Sequence, residues 1–191
     1  MFNELVLHNR SYRSFAEDHP VGRDDLFWLV SLARLSPSAG NIQPLKYFLS
    51  SEQQTNELIY PLLRWMDGNR GKDGCEHGKP AAYICMFVDM NLVPVQSSAY
   101  VDAGIAAQTI LLGACEKGLG GCIVTGFDRT RLKQALMVTI GAYEPLLIIA
   151  LGKPYEDITL EESGYDTGCY RNEQGVRHVP KRQLADIVIG I

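Results

Sequence analysis

Residues 100–117 form the segment that most restricts the fold, because small side chains occupy nearly every face of a predicted helix. The small residues are Ala103, Gly104, Ala106, Ala107, Gly113 and Ala114, and the large apolar ones beside them are Ile105, Ile110, Leu111 and Leu112. Small side chains let two backbones approach closely, so we expect this helix at the domain centre or in a subunit interface. Gly118 is expected to end it as the C′ residue. An ordinary core helix outside any interface is the alternative.

Helices and strands are predicted along the rest of the chain, but not as a repeating βαβα series. Predicted helices cover residues 24–35, 53–66 and 129–138, the last capped by Asp128, and predicted strands cover residues 45–50, 81–89, 121–124, 146–151 and 184–189. The apolar run at 81–89 is typical of a central strand covered on both faces. Glycines and charges at 67–79 predict a surface loop. This order favours an α+β fold in one domain, residues 1–191.

The charge balance restricts the partners. Eighteen Lys and Arg residues against 22 Asp and Glu give a formal net charge of −4. This is the opposite of the basic surface typical of nucleic-acid binders, so any bound phosphate must be held by a few local cations. The longest apolar stretch, residues 80–88, is half of the roughly 18 residues that a membrane span needs. We therefore expect neither a nucleic acid nor a membrane as partner.

The five cysteines form an odd set without a C-x-x-C motif or a paired spacing, which indicates a reducing compartment. The first ten residues lack the apolar core of a signal peptide. A cytoplasmic location is the expectation from both observations.

Several familiar motifs are incomplete in this chain. The glycines at 118–121 follow a predicted helix and precede a strand, which reverses the order of a dinucleotide fingerprint. Gly152-Lys153-Pro154 lacks the upstream glycine and the following Ser or Thr of a P-loop. Cys75 and His77 are too few ligands for a zinc site, and no Gly-x-Ser-x-Gly elbow presents a serine nucleophile.

Two basic segments, residues 10–13 and 181–182, are candidates for anion binding. Arg10 and Ser11 are adjacent, and a guanidinium and a hydroxyl can donate together to one phosphate. Solvated surface charges are the alternative for each segment taken alone. Residues 37–44 hold three polar side chains between two prolines, which is typical of a turn as well as of a site.

Together these segments resemble the FMN-dependent nitroreductase family along almost the whole chain. Six of them occur in family order and at family-like spacing: residues 10–15, 36–44, 102–108, 118–127, 151–154 and 179–182. The resemblance implies an α/β/α sandwich with a central mixed, mainly antiparallel sheet. It also implies a homodimer with an exchanged C-terminal segment, and two FMN sites at the interface, each built from both chains.

The resemblance also implies roles for individual residues. Arg10, Ser11, Lys181 and Arg182 would face the FMN phosphate, and Arg13 would lie toward the N1 and O2 edge of the flavin. The loop expected to approach the flavin from the partner subunit supplies Pro37, Ser38, Ala39, Asn41 and Gln43. Backbone N–H groups near Thr125 and Gly126 would meet flavin N5 and O4. No catalytic side chain is implied.

The implied activity is transfer of hydride from NADH or NADPH through FMN to a nitroaromatic, a quinone or another small planar acceptor. Two alternatives remain: specialised flavin chemistry on the same fold, such as flavin fragmentation, dehalogenation or azoline oxidation, and flavin binding without turnover. The chain also departs from many relatives, with Asn9 where Arg is common, Leu45 where Trp is common, and Thr125 where some members have Glu.

Overall fold

The computed structural model describes residues 2–65, 77–93, 97, 99–138 and 141–190. The helices in this part of the chain are α1 (Phe2–His8), α2 (Arg23–Ala33), α3 (Gln53–Ile59), α4 (Ala99–Glu116), α5 (Arg129–Ala135) and α6 (Leu184–Ile187). The strands are β1 (Phe15–Ala16), β2 (Leu45–Ser50), β3 (Ala82–Asp89), β4 (Gly120–Val124), β5 (Tyr143–Pro154), β6 (Ile158–Ser163), β7 (Tyr170–Arg171) and β8 (Arg177–Arg182).

The main sheet is built around β3 and β5. Strand β3 lies between β2 and β5, while β4 and β1 both pair with β5, and all these pairings are antiparallel. One isolated parallel bridge, Ser11 with Gly121, adds the N-terminal segment at the β4 edge. A separate three-stranded sheet, the ribbon β6-β8-β7, contains the parallel pair β6 and β8. The prediction of a mainly antiparallel α+β fold is confirmed.

Helices cover both faces of the main sheet. Along β3 the side chains alternate, with Ile84 and Met86 facing the cluster that contains α2 and α4. Tyr83 and Cys85 face the opposite cluster, which includes residues of α3 and α5. Almost every β3 side chain is buried, which is the burial pattern predicted from its unbroken apolar sequence.

Helix α4 packs closely on α2 through its small residues. A Cβ on Gly113 would lie 2.7 Å from the Leu32 side chain, so glycine permits this approach. Gly118 has φ +68° and ends the helix, as predicted. The opposite side of α4 is exposed along Val101, Ile105 and Gln108, so one face is core and the other faces away from the chain.

Two predicted elements were wrong. The helix predicted at 53–66 ends at Ile59, because Pro61 lacks an amide hydrogen and the chain tightens into a 3₁₀ turn at Tyr60–Leu62. The strand predicted at 184–189 is the short helix α6, whose apolar side chains Leu184 and Ile187 are exposed. The predicted loop at 67–79 lies largely outside the described residues.

The described cysteines Cys85, Cys115, Cys122 and Cys169 are free thiols. In the described part of the chain, every helix is too short or too polar to span a membrane.

Asp128 caps α5 as the sequence predicts. Its carboxylate accepts a hydrogen bond from the Arg131 N–H at 2.9 Å. We expect Asp128→Ala to lower the free energy of unfolding by about 1 kcal/mol, because one helix N–H loses its partner. Asp128→Asn can still accept that bond, so it should lower the free energy of unfolding by only about a few tenths of a kcal/mol. Urea unfolding of the two variants measures the difference, and equal losses would contradict the capping role.

Candidate functional site

A cavity of about 320 Å³ brings both ends of the chain together. Four cationic side chains line it: Arg10, Arg13, Arg177 and Lys181. The other lining residues are Asn9, Ser11, Gln108, Leu111, Ile123, Ile158, Cys169 and Val179, and none is a carboxylate. We call it the basic cavity. Its volume is at the lower end of the roughly 300–1,000 Å³ range of small-molecule sites.

Backbone pairing with β4 fixes the N-terminal wall of the basic cavity. The Tyr12 N–H donates to the Gly121 carbonyl at 3.0 Å, next to the Ser11–Gly121 bridge. A Cβ on Gly120 would lie 2.4 Å from the Tyr12 ring, so glycine is required for this docking. The glycines after α4 therefore have a second role that helix termination alone did not predict.

Strand β8 supplies the C-terminal wall. Arg177, Val179 and Lys181 are spaced by two residues, so their side chains share one face of the strand and line the cavity. Arg182 follows Lys181 on the other face and is exposed. The structure thus brings Lys181, but not Arg182, to the cavity. Arg177 was missed by the sequence analysis, although its period-two spacing from Lys181 could have indicated it.

The two N-terminal arginines keep donors for a ligand. The Arg10 Nη2 group donates to the Val6 carbonyl at 2.6 Å, and its buried Nε has no hydrogen-bond partner among the described residues. Arg13 Nη1 donates to the Ser11 carbonyl at 3.1 Å. Guanidinium groups present several donors in a fixed plane, so both residues can bind a phosphate or a polarised carbonyl while keeping these contacts.

Charged groups around the basic cavity act on Cys122 of β4. Burial raises the pKa of the Cys122 thiol, while the guanidinium groups of Arg13 and Arg177 act in the opposite direction. Cys122 therefore stays a protonated, packed thiol, and the Glu156 carboxylate, which also raises its pKa, partly offsets the two guanidinium groups.

The predicted loop at 37–44 is held by a buried carboxylate on α4. Asp102 is only 4% exposed and accepts hydrogen bonds from Ser38 Oγ at 2.5 Å and from the Ala39 N–H at 3.1 Å. Ser38 Oγ in turn accepts from the Gln43 N–H at 2.9 Å. Asn41 and Gln43 have φ values of 55° and 54°, which is strained for residues other than glycine. Asp102 thus stabilises an unusual loop conformation.

The loop and the basic cavity occupy different places in one chain. Pro37, Ser38 and Gln43 line a second cavity of about 230 Å³, together with Asp102 and other residues of α2, β2 and α4. Ala39 and Asn41 belong to the same loop, within the 3₁₀ turn Ala39–Asn41. Helix α4 contributes to both cavities. A role of the loop at a partner's site remains a prediction.

Thr125 and Gly126 follow β4, two and three residues beyond Ile123, which lines the basic cavity. Thr125 is exposed. The Gly126 carbonyl accepts a hydrogen bond from the Arg64 N–H at 2.8 Å, which fixes this segment against the end of the 3₁₀ turn Tyr60–Leu62. Their predicted contact with a flavin stays a prediction.

Within the described ranges, no three His, Cys, Asp or Glu side chains come together as a metal site requires. Cys75 and Glu76 lie outside those ranges.

An α+β sandwich with a cavity lined by four cationic side chains has the chemistry to bind a small anionic ligand. Comparison with known proteins is more specific. The model of the Nitroreductase family matches residues 91–153. MhqN of Bacillus subtilis is 24% identical over 184 residues, covering 80% of this chain and 88% of MhqN. An oxygen-insensitive NADPH nitroreductase of Helicobacter acinonychis is 22% identical, and the match covers 78% of this chain and 86% of that protein.

Solved structures share the fold. A nitroreductase family protein of Streptococcus pneumoniae superposes with a TM-score of 0.71 at 20% identity, covering all of both chains. An Exiguobacterium sibiricum protein solved in complex with FMN superposes with a TM-score of 0.66 at 18% identity, and the match covers 82% of this chain and 89% of that one. The resemblance to the nitroreductase family is confirmed, since a family model, relatives similar in sequence and solved structures similar in fold all point to that family.

Asp102 should be essential for the loop conformation. We expect Asp102→Ala to lower the free energy of unfolding by about 2 kcal/mol, because the Ser38 hydroxyl and the Ala39 N–H lose a charged acceptor. Amide hydrogen exchange at Ala39 and Gln43 should become faster. Asp102→Asn keeps one acceptor oxygen, so its free energy of unfolding and its exchange rates should lie between those of Asp102→Ala and the wild type. Unchanged exchange in Asp102→Ala would contradict the role assigned to the carboxylate.

Proposed function

We propose that the protein is an FMN-dependent oxidoreductase that takes hydride from NADH or NADPH and reduces a small planar acceptor, such as a nitroaromatic or a quinone. The observation that carries this proposal is the basic cavity. Arg10 and Ser11 from one end of the chain meet Lys181 from the other, in a protein whose net charge is −4. Such a local concentration of cations in an acidic protein suits a small anion.

The FMN phosphate has the chemistry that this cavity needs. It carries about two negative charges, and paired cationic and hydroxyl donors bind such a group better than single ones. Arg10, Ser11 and Lys181 offer two cations and a hydroxyl, and Arg10 still has an unpartnered buried Nε. The apolar side chains Leu111 and Ile123 in the same wall suit the carbon framework of a ligand rather than a free inorganic ion.

FMN, when bound, would supply the hydride chemistry, since flavins accept and release hydride. The residues of this chain would bind, orient and tune it. Arg13 has a guanidinium at the cavity wall, where it would stabilise negative charge on a reduced ring system. Among the described residues, neither a carboxylate nor a histidine lines the basic cavity, so the proposed reaction relies on positioning and electrostatics instead of a side-chain acid or base.

NADH or NADPH as hydride donor is supported by the names of relatives, among them the NADPH nitroreductase of Helicobacter acinonychis. The specialised flavin reactions and flavin binding without turnover are outcomes of the test below, because no feature of the described residues favours either.

A homodimer is part of the proposal. The exposed face of α4 carries Val101 and Ile105, which are 68% and 39% exposed. Gly104 lies between them and has no atom of its own chain within 4 Å of the position of a Cβ. A second copy packed here would bury this face and could bring its loop at 37–44 toward the basic cavity. The exposed apolar residues of α6 would suit exchange of the C-terminal segment.

The function is tested by anaerobic titration of FMN-loaded protein with NADH and then NADPH, following the flavin absorbance band. Reduction by one nucleotide and reoxidation by a quinone or nitroaromatic support the oxidoreductase. Flavin that is bound but not reduced would indicate a binding protein, and benzimidazole or halide release would indicate the specialised chemistry. Failure to bind FMN at all would contradict the proposal.

Adjacent side chains of β8 point to opposite faces, so Lys181 and Arg182 are expected to differ in their effect on FMN binding. Lys181→Ala should weaken FMN binding by about tenfold, since one charge-assisted phosphate contact is lost. Arg182→Ala removes the same charge one residue further on, from the face that does not line the cavity, and should change the affinity by less than about threefold. Equilibrium dialysis of the two variants decides. A larger effect from Arg182 than from Lys181 would contradict the geometry.

A further inference from the structure

We infer that Glu156 is the positioning residue of the basic cavity. Its carboxylate is only 3% exposed, yet it does not line the cavity itself. It joins the N-terminal segment to the ribbon β6-β8-β7 and so sets where the cationic groups stand. The identity of the anion rests on the proposed function, whereas the joining of the two walls does not.

Each oxygen of Glu156 contacts a different part of the chain. Oε1 accepts hydrogen bonds from the backbone N–H of Arg13 and from that of Ser14, the latter at 3.1 Å. Oε2 accepts from Arg171 Nη2 at 2.7 Å and lies 4.0 Å from Arg177 Nη1. One buried carboxylate therefore binds two amides of the N-terminal wall and two arginines of the ribbon.

The location of Glu156 in the chain explains why one residue can do this. It lies between the end of β5 and the start of β6, where the chain leaves the main sheet for the ribbon. The ribbon strands pack chiefly on one another. Backbone hydrogen bonds on either side, Tyr155 N–H to Ser14 O at 3.0 Å and Arg177 N–H to Asp157 O at 2.9 Å, align the same three segments.

The electrostatics of the cavity need this carboxylate. Arg177 lines the cavity and is 3% exposed, beside Arg10, Arg13 and Lys181. Arg177 is the buried member of this group, and like charges beside it raise the cost of its burial. The buried carboxylate of Glu156 offsets part of that cost. Because Glu156 does not line the basic cavity, it offsets this repulsion without occupying the space of the ligand.

Two variants and a matched control test the inference. Glu156→Gln keeps an oxygen for the Arg13 and Ser14 amides but removes the charge that faces Arg171 and Arg177. Glu156→Ala removes every contact. Glu162→Gln removes the same charge from an exposed position on β6 of the same ribbon. For each protein we would measure the equilibrium affinity for FMN and for riboflavin, which lacks the phosphate.

We expect both Glu156 variants to lose FMN affinity by on the order of tenfold, because cationic groups that are no longer held in place bind the phosphate less well. Riboflavin affinity should change by less than about threefold, and Glu162→Gln should behave as the wild type. A general loss of structure would instead lower both affinities together. An unchanged or tighter FMN complex in Glu156→Gln would overturn the inference, since Glu156 would then be only an opposing charge.

A second measurement needs no flavin. Amide hydrogen exchange at residues 10–14 of the flavin-free protein should be faster in Glu156→Gln than in Glu162→Gln. Equal exchange in the two variants would overturn the inference even if FMN affinity fell. If wild-type protein binds neither flavin, the proposed function fails, and faster exchange at 10–14 would still support the joining role of Glu156.

Discussion

Mutual repulsion among four cationic groups is the constraint on which the site depends. Arg10, Arg13, Arg177 and Lys181 come from opposite ends of the sequence and share one small cavity. Such a cluster costs free energy unless negative charge is close by. Glu156 supplies one negative charge from outside the cavity, and the proposed dianionic ligand would supply two more from within it. The proposed binding of an anion would therefore depend on the position of the ribbon.

The rest of the fold fixes the positions of these cationic groups. The pairing of Ser11 and Tyr12 with Gly121 fixes the N-terminal wall, and it needs the absence of a side chain at Gly120. Helix α4 begins where Asp102 holds the loop at 37–44 and continues to Leu111 at the basic cavity. Helix α4 thus lies between the basic cavity and the loop at 37–44, and its exposed face is where the proposed second chain would meet them.

The sequence predicted the features that depend on local chemistry. The unbroken apolar run of β3, the Asp128 cap and the Gly118 helix end all follow from side chains next to one another in the chain. Strand 184–189 was wrong because a short apolar run at a chain end is compatible with helix as well as strand. The six family-like segments predicted Arg10, Ser11, Arg13 and Lys181, which line the basic cavity, and also Arg182, which does not. They did not predict Arg177 or Glu156, since these residues join the site through pairings between distant segments that no local pattern records.

We propose that a flavin phosphate binds between the two ends of the chain. A crystal structure of the protein grown with FMN tests it most directly. We predict the phosphate within hydrogen-bond distance of Arg10, Ser11 and Lys181, with the flavin ring continuing past Arg13. Flavin bound elsewhere, or an FMN-saturated crystal whose basic cavity holds only water, would contradict the account.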